Sequence, residues 1–216
     1  MIHVIGDSHV SFFIGKNEIV PEYPPYCGIN NQFSVYRIGA PIAFNLLKEN
    51  TTYKAREKIL YILPLILPED KVLFSFGEID CRYHIGKNVR RGYSQAHNVY
   101  KCVERYVDGL LDLMYNFSNI SFGVWGPIPS TKLPQSCSSR DCPITGDMLE
   151  RNQITLTFNV FLEQKSKEFG FKFFTLFYDL VDSYMGTDLS YYMDNIHLNQ
   201  KAMPLALGEL AKKGWI

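Results

Sequence analysis

The chain has 216 residues and a balanced charge, with 22 lysines and arginines against 22 aspartates and glutamates. This neutrality argues against nucleic acid or an anionic membrane surface as the main partner. The length, and a hydrophobic content of 46%, suit one packed core, and we predict a single domain over positions 1–216.

Strand and helix patterns alternate along the chain, which is typical of a parallel sheet with helices on both faces. Short apolar runs indicate strands that are buried on both sides. Five such strands are predicted, at 2–5, 33–38, 71–76, 120–125 and 171–177.

Apolar residues recur at helical spacing in two long segments, at 99–114 and 154–169, and we predict a helix in each. The last helix is expected to begin near Ala202, with Pro204 in its first turn, where a missing N–H removes no hydrogen bond. Further helices are predicted at 40–48 and 53–67.

A sharp polar turn, Gly6-Asp7-Ser8-His9, follows the first strand. A serine in this turn projects at the carboxyl edge of the sheet, where open α/β folds bind their ligands. Asp7 is expected to brace the turn through hydrogen bonds to the local backbone. His9 is expected to begin a helix.

A second polar turn, Asp194-Asn195-Ile196-His197, lies near the C-terminus. Its aspartate and histidine are three residues apart, close enough for the carboxylate to accept the imidazole Nδ1–H. Either tetrapeptide alone is also typical of an ordinary turn. Together, Ser8, His197 and Asp194 supply a nucleophile, a base and an orienting carboxylate, so we predict a catalytic triad for acyl transfer.

The order of these blocks resembles the SGNH (GDSL-type) hydrolase family. The family's first block, G-D-S, matches residues 6–8, and its last block, D-x-x-H, matches residues 194–197. Gly39 fits the glycine of the second block. The third block, G-x-N-D, corresponds to residues 77–80, where Ile79 replaces the asparagine.

This resemblance implies an α/β fold, a three-layer α/β/α sandwich with a five-stranded parallel sheet of the flavodoxin-like type. It implies a serine esterase that needs no cofactor and hydrolyses a small acyl ester. An acetyl ester on a carbohydrate is favoured because many family members act on carbohydrate. An O-acyltransferase would use the same triad. The remaining alternative is a non-catalytic carbohydrate-binding module on this fold, with Ile79 marking lost activity.

The resemblance also implies an oxyanion hole. Its donors are expected to be the backbone N–H groups of Ser8 and Gly39, because glycine lets the main chain approach closely. In the family the third donor is the asparagine side chain, and Ile79 cannot replace it. The loss of one such donor typically costs about 2.7–4 kcal/mol of transition-state stabilisation.

Polar residues follow Ile79 along the same edge. Arg82 or His84 is expected to supply the missing stabilisation or to bind a substrate carboxylate. Glu78 and Asp80 are further candidates for substrate or oxyanion contacts. The alternative is that Glu78, Asp80 and Arg82 form an internal ion-pair network that braces the turn.

Two loops are expected near this edge. The segment 126–146 is rich in Pro, Ser and Cys, and a loop of this length is usually functional or mobile. Arg151 or Asn152, just after it, could face the substrate. The tyrosines before the second polar turn could stack on a sugar or belong to the core; they are Tyr184, Tyr191 and Tyr192.

No basic and apolar leader begins the sequence, and the most apolar stretch, 59–67, is too short to span a bilayer, so we expect a cytoplasmic protein with no membrane insertion. Cys137 and Cys142 could form a small disulfide loop, although free thiols are favoured without a secretion signal. No second Cys or His pair stands at metal-ligand spacing, so we predict no metal site. The sequence does not determine the oligomeric state.

Overall fold

The computed structural model describes residues 1–132 and 143–216. Within these ranges, a six-stranded sheet forms the centre of the molecule, in the order β2-β3-β1-β4-β5-β6. All neighbouring strands are parallel except β2 and β3. The strands are β1 (Ile2–Gly6), β2 (Gly28–Ile29), β3 (Phe33–Arg37), β4 (Lys71–Ser75), β5 (Ser121–Trp125) and β6 (Lys172–Phe174).

The five predicted parallel strands are all present, and their spatial order is the flavodoxin-like one, with the first strand between the second and the third. The prediction of a five-stranded, purely parallel sheet is wrong in one respect. The edge strand β2 pairs antiparallel to β3 through Gly28 and Ile29 alone. Two residues are too short a run to give an alternating pattern, so the sequence carries no signal for this strand.

Helices cover the sheet, and most of them match the prediction. Both long helices begin at a side-chain cap, with Ser94 accepting from the His97 N–H before α3 and Asp147 forming a capping box with Glu150 before α4. Pro204 lies in the first turn of the last helix, as expected. The helices are α1 (Ala55–Ile62), α2 (Ile85–Val89), α3 (Gln95–Asn116), α4 (Met148–Phe169) and α5 (Met203–Lys212).

The helix predicted at 40–48 is wrong. This segment forms only a 3₁₀ turn at Ala43–Asn45, closed by bonds from Leu46 N to the Ala43 carbonyl and from Lys48 N to the Asn45 carbonyl. Ala43 and Leu46 are three residues apart and both buried. A series of short turns can bury residues at this spacing, so its apolar pattern is the same as that of a helix.

Two hydrophobic cores lie on opposite faces of the sheet. In β4, Phe74 belongs to the core beneath α1, α3 and α4, and Leu73 belongs to the core beneath α5 and the 3₁₀ helix Ser8–Ile14. Successive strand residues point to opposite faces, so a strand covered on both sides is apolar throughout. The result is the predicted three-layer α/β/α arrangement.

The carboxyl ends of β1 and β4 lie side by side at the centre of the sheet, where Gly6 is paired with Ser75. A Cβ atom on Gly6 would overlap the Ser75 carbonyl, so this close approach requires glycine. The chain leaves β1 toward β3 on one side and reaches β4 on the other. Such a switch point forms a crevice at the carboxyl edge.

Candidate active site

A continuous chain of hydrogen bonds links the two polar turns. The Ser8 Oγ lies 2.8 Å from the His197 Nε2, and the His197 Nδ1 lies 2.8 Å from the Asp194 Oδ2. The three side chains come from opposite ends of the chain and meet beyond the end of β1. Their order is that of a nucleophile, a base and an orienting carboxylate.

The turn after β1 holds Ser8 in place. Asp7 caps the 3₁₀ helix Ser8–Ile14 by accepting a 3.0 Å hydrogen bond from the His9 N–H. This is the bracing role predicted for Asp7, and His9 is the second residue of the helix. The Asp7 side chain is buried, and burial raises its pKa against the opposing effect of His9. Ser8 is therefore the residue of this turn that faces the cleft.

The turn that carries the histidine is closed by its own aspartate. The other Asp194 oxygen, Oδ1, accepts 2.6 Å hydrogen bonds from the backbone N–H groups of Ile196 and His197. Partial burial would raise the pKa of Asp194, but these bonds and the one to the imidazole lower it to about 2. The Thr131 hydroxyl donates to the Asn195 carbonyl and ties the turn to the loop after β5.

The backbone N–H groups of Ser8 and Gly39 border the cleft, and neither has an acceptor in the described part of the chain. The Ile38 N–H donates to the Gly6 carbonyl at 2.8 Å, which brings the end of β3 beside the Ser8 turn. Gly39 has a φ of 107°, and a Cβ there would lie 2.5 Å from the Tyr53 ring. Only glycine fits this position, and its N–H is available to an oxyanion.

Ile79 lines the cleft. The residue before it points inward: Glu78 is buried and pairs with Arg82 Nε at 2.7 Å and with His9 Nε2 at 3.3 Å. Burial would raise the pKa of Glu78, but the charges of Arg82 and His9 lower it to about 2. Glu78 does not line the cleft and cannot contact a substrate there.

Asp80 is also buried, and its carboxylate accepts from the Ala43 N–H at 2.7 Å and from the Phe44 N–H at 3.4 Å. Burial raises its pKa to about 6. Asp80 therefore holds the 3₁₀ turn at Ala43–Asn45, and it belongs neither to the cleft wall nor to the Glu78–Arg82 ion pair. The predicted three-residue network is reduced to that pair, extended by His9.

Arg82 and His84 both line the cleft. Besides its pair with Glu78, Arg82 donates to the Pro143 carbonyl at 2.9 Å, which fixes the guanidinium at the cleft wall. Burial, with Lys87 and Arg82 nearby, lowers the pKa of His84. Near neutral pH His84 is thus an uncharged imidazole that can donate one N–H.

Other predicted contacts lie elsewhere. Arg151 is buried and donates to the Gly146 carbonyl at 2.5 Å and the Thr131 carbonyl at 2.7 Å. Asn152 accepts from the Ser130 N–H at 2.7 Å. Both residues therefore hold the described ends of the 126–146 loop and do not reach the cleft. Cys137 and Cys142 lie outside the described residues.

The tyrosines before the histidine turn do not line the cleft either. Tyr192 is buried and donates its hydroxyl to the Pro129 carbonyl at 2.6 Å, which places it in the core. Tyr184 is 85% exposed. Neither therefore forms a stacking platform for a sugar in this cleft.

The cleft beside Ser8 encloses about 630 Å³, within the range of small-ligand sites. Much of its wall comes from the segment between β3 and α1, which sequence reasoning missed. Its polar side chains follow the carboxyl end of β3, a signal that the incorrect helix prediction at 40–48 obscured. They are Asn45, Lys48, Asn50, Thr51, Thr52 and Tyr53, and they join Arg37, the last residue of β3.

Among the described residues, no group of three or more His, Cys, Asp or Glu side chains is placed to hold a metal ion. No helix in the described part of the chain is long and apolar enough to cross a membrane.

The fold is similar to those of solved esterases and lipases. An aryl esterase from M. smegmatis matches with a TM-score of 0.55 and 16% identity, over 98% of each chain. A carbohydrate acetylesterase from Sinorhizobium meliloti matches with a TM-score of 0.53 and 14% identity, over 98% of this chain and 96% of that one. A GDSL-like lipase from Bacteroides thetaiotaomicron matches with a TM-score of 0.55 and 14% identity, over 98% of this chain and 87% of that one.

At these identities the likeness concerns the fold, and that fold is the one implied by the SGNH resemblance. The amino-acid sequence matches no protein-family model and no curated protein.

Proposed function

We propose that the protein is a serine esterase of the SGNH type that hydrolyses a small acyl ester, an acetyl ester on a carbohydrate being the favoured substrate. The observation that carries this proposal is the hydrogen-bonded chain from Asp194 through His197 to Ser8, which opens on a cleft. The similarity of fold to an aryl esterase and a carbohydrate acetylesterase supports it.

In this reaction the Ser8 Oγ attacks the ester carbonyl while the His197 Nε2 takes its proton. The negative charge that develops on the carbonyl oxygen is bound by the N–H groups of Ser8 and Gly39. His197 then gives the proton to the leaving alcohol, and an acyl-Ser8 intermediate remains. Water, deprotonated by His197, attacks this intermediate, and the acid is released as His197 returns the proton to the Ser8 Oγ.

Asp194 acts through His197. Its carboxylate accepts the Nδ1–H at 2.8 Å, which selects the tautomer whose Nε2 faces Ser8. Because its pKa is about 2, Asp194 stays ionised throughout the range in which the protein would work and stabilises the imidazolium formed during each transfer.

The test is the turnover of an aryl acetate by wild type, Ser8→Ala and Ser121→Ala. Ser121 is an exposed serine at the amino end of β5, away from the carboxyl edge where the cleft lies, and serves as the matched control. We expect Ser8→Ala to lose about 10⁴-fold or more in rate. Ser121→Ala should match wild type. Wild-type activity in Ser8→Ala, or none in folded wild type, would overturn the proposal, and the second result would favour a binding module.

A further inference from the structure

Positively charged side chains line the cleft beside Ser8. Three cations border it, Arg37, Lys48 and Arg82, and none of its described lining residues is an aspartate or a glutamate. The whole chain is neutral, so this excess is local. A cleft lined by one sign of charge attracts ligands of the opposite sign.

The carboxylates near the cleft already have other partners. Behind Gly39, Glu22 pairs with Lys58 at 2.5 Å. Behind Arg82, Glu78 pairs with its guanidinium at 2.7 Å. Because Glu22 and Glu78 are neutralised by these partners, they do not balance the positive charges of the other two cations at the cleft.

Arg37 and Lys48 are those cations. Arg37, the last residue of β3, donates one guanidinium N–H to the Val20 carbonyl at 3.0 Å, and its buried Nε has no hydrogen-bond partner in the described residues. Lys48 is exposed and forms no ion pair with a described residue, whereas the adjacent Glu49 pairs with Arg56 at 3.3 Å. Arg37 thus lines the cleft without an ion-pair partner among the described residues, and a guanidinium in that position can bind a carboxylate or a phosphate.

We infer that the esters taken by this cleft carry a negative charge on the alcohol side, a carboxylate or a phosphate, which Arg37 and Lys48 bind. This inference rests on the proposed esterase function. It narrows the substrate class from any small acyl ester to an acidic one, such as an acylated acidic saccharide. The polar residues Asn45 and Thr52 line the same cleft and suit the hydroxyl groups of such an alcohol.

The experiment compares two acetate esters of the same shape, para-acetoxybenzoate and para-acetoxybenzamide, which differ in charge. Each enzymatic rate is divided by the rate of alkaline hydrolysis of the same ester, because the two phenol leaving groups differ in acidity. A third ester, para-acetoxyphenyl phosphate, distinguishes a phosphate from a carboxylate as the preferred anion. We expect wild type to prefer an anionic ester over the amide by roughly tenfold in kcat/KM, as for a charge-assisted hydrogen bond. The preference should shrink at raised ionic strength.

Substitutions at Lys48 and Arg37 test whether these two residues cause the preference for the anionic ester. Lys48→Gln should reduce the ratio between the anionic and neutral esters by roughly two- to fivefold, the range of an exposed charge pair. Arg37→Lys keeps the positive charge but loses the planar guanidinium that binds an anion through two N–H groups. This variant should also reduce the ratio between the anionic and neutral esters. Lys212→Gln, an exposed lysine on α5 outside the cleft, is the matched control and should keep the wild-type ratio.

Equal kcat/KM for the charged and neutral esters in wild type would overturn the inference while leaving the esterase proposal intact. A preference that persists undiminished in both cleft variants would overturn it as well. Should wild type hydrolyse none of the esters, the esterase proposal fails, and the inference is decided by calorimetric binding of the intact esters. Tighter binding of an anionic ester by wild type than by Lys48→Gln supports it, and equal binding of charged and neutral esters refutes it.

Discussion

The turns after β1 and β4 lie side by side at the carboxyl edge of the sheet, and each buries its acidic side chains. After β1, Asp7 points inward and Ser8 faces the cleft; after β4, Glu78 and Asp80 point inward and Ile79 faces the cleft. The two turns thus share a design but present different chemistry. The turn after β1 presents a serine hydroxyl that is hydrogen-bonded to a histidine, and the turn after β4 presents an apolar side chain.

This difference separates the two tasks of an acyl-transfer site. The hydrogen-bonded chain for proton transfer is complete at the first turn, because the Ser8 Oγ and the His197 Nε2 are 2.8 Å apart. Under the proposed function, Ile79 gives the oxyanion no side-chain donor, so we predict that oxyanion binding depends on two backbone N–H groups together with Arg82 or His84 at the cleft wall. The two turns should therefore respond very differently to substitution.

The largest effect is expected in the proton-transfer chain, from Asp194→Asn. An amide in place of the carboxylate no longer selects the reactive tautomer of His197, and in a comparable triad this change lowers kcat about 10⁴-fold. Steady-state turnover of an aryl acetate measures the loss. Asp188→Asn is the matched control, because Asp188 caps a nearby 3₁₀ turn outside the cleft and should have little influence on rate. Equal rates for Asp194→Asn and wild type would show that the triad geometry is not used.

The second turn should give a smaller and more selective effect. If Arg82 or His84 already stabilises the oxyanion, Ile79→Asn changes the rate by less than about twofold, and His84→Ala or Arg82→Ala lowers it by up to ~10²–10³-fold. Ile79→Val controls for the loss of side-chain volume. Because Arg82→Ala breaks the buried pair with Glu78, its thermal unfolding must be measured as well.

The opposite pattern is equally informative. A rise of ~10²-fold or more in Ile79→Asn would show that the site lacks a donor that the cleft wall does not replace. No change in any of the three variants would mean that the Ser8 and Gly39 N–H groups suffice.

The buried half of the second turn should affect stability and its dependence on pH. The pKa of Glu78 is about 2 in the folded protein, below the ordinary value of 4.5, so its ionisation stabilises the fold above pH 4.5. This contribution, about 3 kcal/mol at most, is lost as pH falls toward 2. In urea unfolding, the stability advantage of wild type over Glu78→Gln should be largest near neutral pH and should narrow in acid. A difference that does not vary with pH would contradict the assigned pairing with Arg82 and His9.

The sequence predicted the features that depend on neighbouring residues. The strands are continuous apolar runs, and the proposed catalytic groups lie in two tetrapeptides whose chemistry is local: a serine in a turn after β1, and an aspartate three residues before a histidine. Alternation of strands and helices indicated which sheet edge would bring them together. Ile79 lines the cleft beside Ser8, and its replacement of a family asparagine stays a prediction.

Features that depend on distant contacts could not be predicted in this way. Asp80 holds the turn at Ala43, 37 residues away, and nothing in the spacing of either residue indicates that bond. Lys48 reaches the cleft because the 40–48 segment forms short turns where apolar spacing predicted a helix. Arg151 lies in a helix that begins near the expected edge, but its guanidinium points into the protein to hold a loop.

The most direct measurement is the labelling of Ser8 by a fluorophosphonate, with the modified peptide identified by mass spectrometry. Such a probe reacts with a serine whose proton is removed by a neighbouring base. We expect stoichiometric labelling of wild type at Ser8, none in Ser8→Ala, and a rate of labelling reduced by several powers of ten in His197→Ala. Folded wild type that is not labelled, or that is labelled at another serine, would contradict the assignment of Ser8 as an activated nucleophile.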